Sequence, residues 1–246
     1  MRFRLLATDF DGTLARRGEV GTKGANALGR WRRAGGLLAM VTGRELDEIR
    51  QIYPGLVDFD IVVAENGAML YWPATGREMP LGEPPPPEFL AALRARGVAP
   101  MSAGRIIVAA WLPDEELVVD VIREMGLQVE ISCNKGSIMV LPIGVNKLSG
   151  LRAALGELGV AAADTVGFGD AENDIPFLDV CGFSVAVGNA LDLVKAVADH
   201  VTRSTHGEGL AEAVDLLLDQ PDTAAVEAAG GPADDDVDSG GSAVGF

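Results

Sequence analysis

The chain has 246 residues, 48% hydrophobic and 23% charged, ordinary globular values that exclude a fibrous or wholly disordered protein. No apolar run approaches the ~20 residues a membrane helix needs, and the apolar stretch near the start is cut at Asp9, too short for a secretory signal, so a cytoplasmic protein is expected. The formal net charge of −16 repels nucleic acid and acidic membranes, and neither is an expected partner.

In chain order, FRLLATDF (3–10) predicts a buried strand, residues 22–34 a helix ending at Gly35-Gly36, GLLAMVT (36–42) a second strand, ELDEIRQIY (45–53) a helix and DIVVAEN (60–66) a third strand. EPPPP (83–87) cannot continue a helix or a central strand and reads as a linker. After it come a helix (88–97), a strand (RIIVAAW, 105–111) and a helix (DEELVVDVIREM, 114–125). LQVEIS (127–132) and SIMVLP (137–142) flank Asn134-Lys135-Gly136 as a hairpin. A helix opens at Lys147; TVGFGD (165–170) and FSVAVG (183–188) are strands around a short helix (172–181), and helices close the pattern at 190–200 and 209–219.

Near-continuous apolar strands alternating with helices imply a parallel sheet covered on both faces. The expected fold class is α/β: a Rossmann-like parallel-sheet core from residues 1–81 and 145–219, with a small α/β insert at 82–144. From Asp219 onward the chain has seven acids and no base, so residues 220–246 are expected to form an acidic, disordered tail. Cys133 and Cys181, with His200 and His206, do not have zinc-site spacing.

Four segments carry chemistry. Asp9 and Asp11, in Asp9-Phe10-Asp11-Gly12-Thr13, end the first strand and share one side of an extended chain. Two carboxylates so close suit a hard divalent cation, although a solvated strand end with a helix cap reads equally well from these residues alone. Thr42-Gly43-Arg44 ends the second strand, where a hydroxyl and free N–H groups bind anions or cap the next helix. Lys147 is one of only four lysines and opens a helix, where an ammonium opposes the dipole and simple exposure is the alternative. Gly167-Phe168-Gly169-Asp170 leads to Asn173-Asp174, with Asp170 and Asp174 four apart. All four lie at carboxyl ends of predicted core strands or at the junction with the insert, where open α/β sheets bind ligands.

DFDGT, TGR, an isolated Lys147 and GDAEND, in that order, resemble the four motifs of the haloacid dehalogenase superfamily. The place of the insert resembles the C2-type cap of the Cof-type phosphatases, close to the phosphoglycolate and sugar-phosphate phosphatase branch. Glu65-Asn66-Gly67 and HGEGLAEA (206–213) resemble segments of the same group, and the likeness spans residues 3 to about 218. The resemblance implies a phosphatase acting on small phosphate esters, with Asp9 as nucleophile and Asp11 as general acid and base. It implies Mg²⁺ held by Asp9, Asp11 through its backbone carbonyl, Asp170 and Asp174. Phosphoryl oxygens would be bound by Thr42, Gly43, Lys147 and Asn173. Candidate substrate contacts are Arg44, Lys135 and Arg105, with Trp111 weighed as a specificity residue but placed in the core. A phosphomutase or a non-catalytic phosphate-binding regulator are the alternatives, and a monomer or homodimer is expected.

Overall fold

The computed structural model describes residues 2–134 and 136–219. Lys135 and the expected tail at 220–246 lie outside them. The chain begins with strand β1 (Leu5–Thr8), a short hairpin of β2 (Ala15–Arg16) and β3 (Glu19–Val20), and helix α1 (Thr22–Arg33). There follow β4 (Leu37–Val41), α2 (Leu46–Ile52) and β5 (Ile61–Ala64), then a hairpin of β6 (Met69–Trp72) and β7 (Arg77–Pro80). The inserted segment contains α3 (Pro87–Ala95), β8 (Met101–Ala103), β9 (Val108–Trp111), α4 (Glu115–Met125), β10 (Val129–Asn134) and β11 (Ser137–Pro142). The chain then runs through α5 (Lys147–Leu158), β12 (Thr165–Gly169), α6 (Ile175–Leu178), β13 (Phe183–Ala186), α7 (Asp192–Val197), β14 (His200–Val201) and α8 (His206–Asp219).

The main sheet has the order β14-β13-β12-β1-β4-β5-β6-β7, parallel from β14 to β5 and antiparallel at β6 and β7. Its strands are apolar throughout because both faces are covered. Leu6, Met40 and Val62 point into a layer with Trp31 of α1 and Leu210 and Val214 of α8. Leu5, Ala7, Ala39 and Val63 alternate into the opposite layer, with Leu151 of α5, Phe177 of α6 and Val194 of α7. Each such leucine contributes about 2 kcal/mol relative to an exposed one.

A second sheet, β10-β11-β9-β8, is antiparallel. One face packs Val108, Ala110, Ile138 and Val140 against Phe89 and Leu93 of α3 and Val118 and Val121 of α4. The other face, with Ile107, Ala109 and Met139, turns to the main sheet's side of the molecule and joins its apolar layer. The ends of the inserted segment meet: a Cβ on Gly82 would stand 2.7 Å from Pro142 Cγ.

Several elements differ from the sequence reading, among them the β2–β3 hairpin, which was not expected. The β6–β7 hairpin extends the main sheet beyond the expected third strand, at its edge, where Pro80 is tolerated. The short strand β8 was not expected. The single helix expected over 190–200 ends early, because Asp199 ties itself to Ser184 of β13 (carboxylate to Ser184 N–H and Oγ–H, both 2.8 Å) and turns the chain into β14.

Candidate active site

The order of the parallel strands sets the site. β1 lies between β12 and β4, with Thr8 paired to Phe168 and to Met40. Asp9, Asp170 and Thr42 therefore leave three adjacent strands at the same carboxyl edge. Gly12 permits the turn after Asp11: its φ is +96°, and a Cβ there would fall 2.3 Å from Asp170 Oδ2. Thr13 Oγ1 donates to Asp170 Oδ1 at 3.2 Å.

Lys147 arrives from the other direction. Asn146 caps α5, accepting from Ser149 N–H while the Ser149 hydroxyl accepts from Asn146 N–H. The helix start packs on Gly67, where φ is +104° and a Cβ would overlap the Asn146 carbonyl at 1.9 Å. Its first residue, Lys147, is 2% exposed, and its ammonium donates to Asp9 Oδ1 and Asp174 Oδ1, both at 2.6 Å. The other Asp174 oxygen accepts from the Asp170 and Ala171 N–H groups at 2.9 and 3.0 Å. An ammonium at a helix N-terminus is unfavourable by itself, and these two carboxylates offset it.

Asp9, Asp170 and Asp174 offer oxygens within 4.8 Å of one another, all buried. Three carboxylates against one ammonium leave surplus negative charge. Burial is the main force that lifts the Asp9 carboxyl well above the ordinary carboxylate range; Lys147 opposes it, and Asp174 and Asp170 add to it. Burial alone would drive Lys147 towards the neutral amine, but Asp174 and Asp9 outweigh it and hold the ammonium above the ordinary lysine value. The oxygen-only donor set and the uncompensated charge fit a hard divalent cation, which Asp9, Asp170 and Asp174 could hold.

A cavity of about 260 Å³ opens above this cluster, between the two sheets. Asp9, Asp11, Gly43, Arg44 and Lys147 line it. Both Asp11 oxygens take the Arg44 guanidinium, Nε to Oδ2 at 2.5 Å and Nη2 to Oδ1 at 2.7 Å, and Arg44 also pairs with Glu48. The hydrogen bond to Asp11 raises the Arg44 pKa further, against the effect of burial. Thr42 is fully buried and accepts from Arg44 N–H at 3.2 Å. Asn173 donates to Asn66 Oδ1 at 3.2 Å.

Arg105 does not line the cavity; its guanidinium binds Asp47 at 2.5 and 2.9 Å and Glu78 at 3.3 Å. Trp111 is not a core residue: it is 38% exposed and forms cavity wall. The sequence reading also missed Ile107, Ala109, Ser137 and Met139 on the insert's wall, and Glu45 and Glu48 at the core rim. The signal for the wall was present as a period of two. Ile107, Ala109 and Trp111 alternate with the core-facing Val108 and Ala110, and Ser137 and Met139 lie opposite in register.

The model of the haloacid dehalogenase-like hydrolase family matches residues 6–79 and 117–214. The chain belongs to the haloacid dehalogenase-like hydrolases. It is 31% identical over 217 residues to a phosphoglycolate phosphatase of Methanothermobacter thermautotrophicus, covering 86% of this chain and 97% of the relative. It is 30% identical over 224 residues to a phosphoglycolate phosphatase of Halobacterium salinarum, covering 86% and 96%. A solved haloacid dehalogenase-like hydrolase from Bacteroides thetaiotaomicron shares the fold with a TM-score of 0.75 at 20% identity, over 87% of this chain and 99% of that one. This hydrolase is thus an enzyme of the phosphatase class, and the resemblance carried by its four motifs holds. Among the described residues no helix is long and apolar enough to cross a membrane.

Proposed function

We propose that this hydrolase cleaves phosphomonoesters of small metabolites in two steps through an aspartyl-phosphate, with Mg²⁺ as its resident cation. Asp9, Asp170 and Asp174, with the Asp11 carbonyl, would hold the ion, which when bound neutralises charge on the phosphoryl group and on Asp9. An Asp9 oxygen attacks phosphorus in line, the bond to the leaving oxygen breaks, and Asp11 gives that oxygen its proton. Asp11 then takes a proton from water, whose oxygen attacks the phosphorus; inorganic phosphate leaves and the Asp9 carboxylate is restored. Lys147, Thr42, the Gly43 N–H and Asn173 hold the phosphoryl oxygens, since positioning and charge stabilisation dominate such transfers. Residues 82–144 act as a cap that excludes water and meets the leaving group.

The observation that carries this reading is the buried cluster of three carboxylates with Lys147 bonded to two of them at the cavity floor. The relatives named phosphoglycolate phosphatase and a solved sugar phosphatase of similar fold (TM-score 0.69, 20% identity) support small esters, and phosphoglycolate and sugar phosphates head the candidates. Hydrolysis is favoured over a mutase reaction. A mutase needs cations for a second phosphate, and among the described residues the insert's share of the wall is uncharged: Ser102, Ile107, Ala109, Trp111, Ser137 and Met139. A regulator without catalysis would have no need of both Asp9 and Asp11 at the cavity.

Phosphate release from a panel of esters, measured with Mg²⁺ and after chelation, tests the proposal beside Asp9→Asn. Release is expected only with metal, and the variant should lose on the order of a thousandfold or more. Release by Asp9→Asn at the wild-type rate would end the reading.

A further inference from the structure

Glu65 is fully buried, and the chemistry above does not use it. A buried carboxylate persists only where hydrogen bonds replace its water. Here the donors come from the insert: Arg105 N–H to Oε1 at 2.8 Å, and Ile106 and Ile107 N–H to Oε2 at 2.8 and 3.2 Å. On its other side, the Glu65 N–H donates to the Arg44 carbonyl at 2.9 Å, and the Asn66 N–H to the Thr42 carbonyl at 3.0 Å. The Asn66 side chain extends the junction, donating to Ser132 Oγ of the insert at 3.3 Å and accepting from Asn173 at 3.2 Å. Glu65 and Asn66 both have left-handed backbones, φ 55° and 53°, which non-glycine residues keep only where their surroundings dictate it. Two successive residues thus join the Thr42–Arg44 loop, Asn173 and the insert. The segment that Glu65 grips runs directly into Ile107, Ala109 and Trp111 of the cavity wall.

We propose that Glu65 is a positioning residue: by holding the N–H groups of residues 105–107 it sets the insert's wall at a fixed height above Asp9, and so controls how bulky leaving groups are gripped. The inference rests on the phosphatase reading. Phosphoryl transfer itself stays with the core, so loss of the grip falls on leaving groups large enough to touch the wall.

The test uses the full chain with two variants, Glu65→Gln and Gly104→Ala. A Cβ on Gly104 would meet the Glu65 carboxylate at 2.5–2.6 Å, which disturbs the same junction from the insert's side without changing a buried charge. Two substrates are compared, acetyl phosphate with a short leaving group and p-nitrophenyl phosphate with a ring that reaches the wall. The expected loss in kcat/KM for p-nitrophenyl phosphate is about tenfold to a hundredfold, mostly in KM, against less than about threefold for acetyl phosphate. Amide exchange at 105–107, read without substrate, should accelerate in both variants. Equal losses on the two substrates, no loss on either, or unchanged exchange would overturn the proposal. So would failure of both variants to fold, which would make Glu65 a folding element. If the wild type hydrolysed neither substrate the phosphatase reading would fall instead, and the exchange measurement would decide the grip alone.

Discussion

On the core side of the cavity the proposed reacting groups are charged and bonded to one another, and Asp9, Asp170, Asp174 and Lys147 are buried. Lys147 spans Asp9 and Asp174, Asp174 also receives the Asp170 and Ala171 N–H groups, and Asp11 is clasped by Arg44. On the insert's side the wall carries no charge among the described residues and is one face of an antiparallel sheet whose other face serves the insert's own apolar core. The contrast teaches a division of labour. A displaced charge on the core side changes a transition state, whereas a changed side chain on the insert's side alters only which leaving group fits.

Lys147→Ala is the severest way to test that division. It removes the ammonium bonded to two of three clustered carboxylates, and should cost about 10²- to 10³-fold in kcat. It should also cost about 3–5 kcal/mol of stability without metal, because Asp9 and Asp174 are left buried without their partner. Steady-state kinetics and urea unfolding check both; wild-type turnover in this variant would erase the contrast.

Trp111→Ala is next. The side chain is 38% exposed at the cavity, so its removal should raise KM for bulky esters by about tenfold while kcat on the smallest ester stays within about twofold. A parallel fall in kcat on every ester would show that the insert's wall shares in the chemistry.

Glu212→Gln sharpens the comparison from outside the cavity. The Glu212 carboxylate accepts from the Arg203 and Ser204 N–H groups at 3.0 and 2.9 Å, and these bonds hold its pKa below the usual value. Its contribution is therefore present above the unfolded pKa of about 4.3 and lost as pH falls through the lower folded value. The variant should lose less than about 1 kcal/mol at pH 7, melt with a flatter acid limb below pH about 4, and keep its turnover. Thermal melts across pH check the sign; a loss of turnover at pH 7 would contradict it.

The parallel core was legible because strands buried on both faces are continuous apolar runs, and the site followed because its residues end those runs. Lys147 was legible by its oddity, a scarce lysine at a helix start. The β6–β7 hairpin was hidden by short strands with Pro73 in its turn and Pro80 at its end. The insert's wall escaped notice because isoleucine, alanine and methionine advertise no chemistry, and only their alternation distinguishes the two faces. The role of Arg105 depends on Asp47 and Glu78, far away in sequence, and no local pattern announces such a partnership.

The contact of Gly82 with Pro142 has a consequence for diversification. Because the inserted stretch leaves and re-enters at one point, a different module with its termini side by side can be spliced there without moving β7 or α5. Substrate range can then shift by exchange of one contiguous piece of gene, while the proposed phosphoryl-transfer machinery is inherited intact.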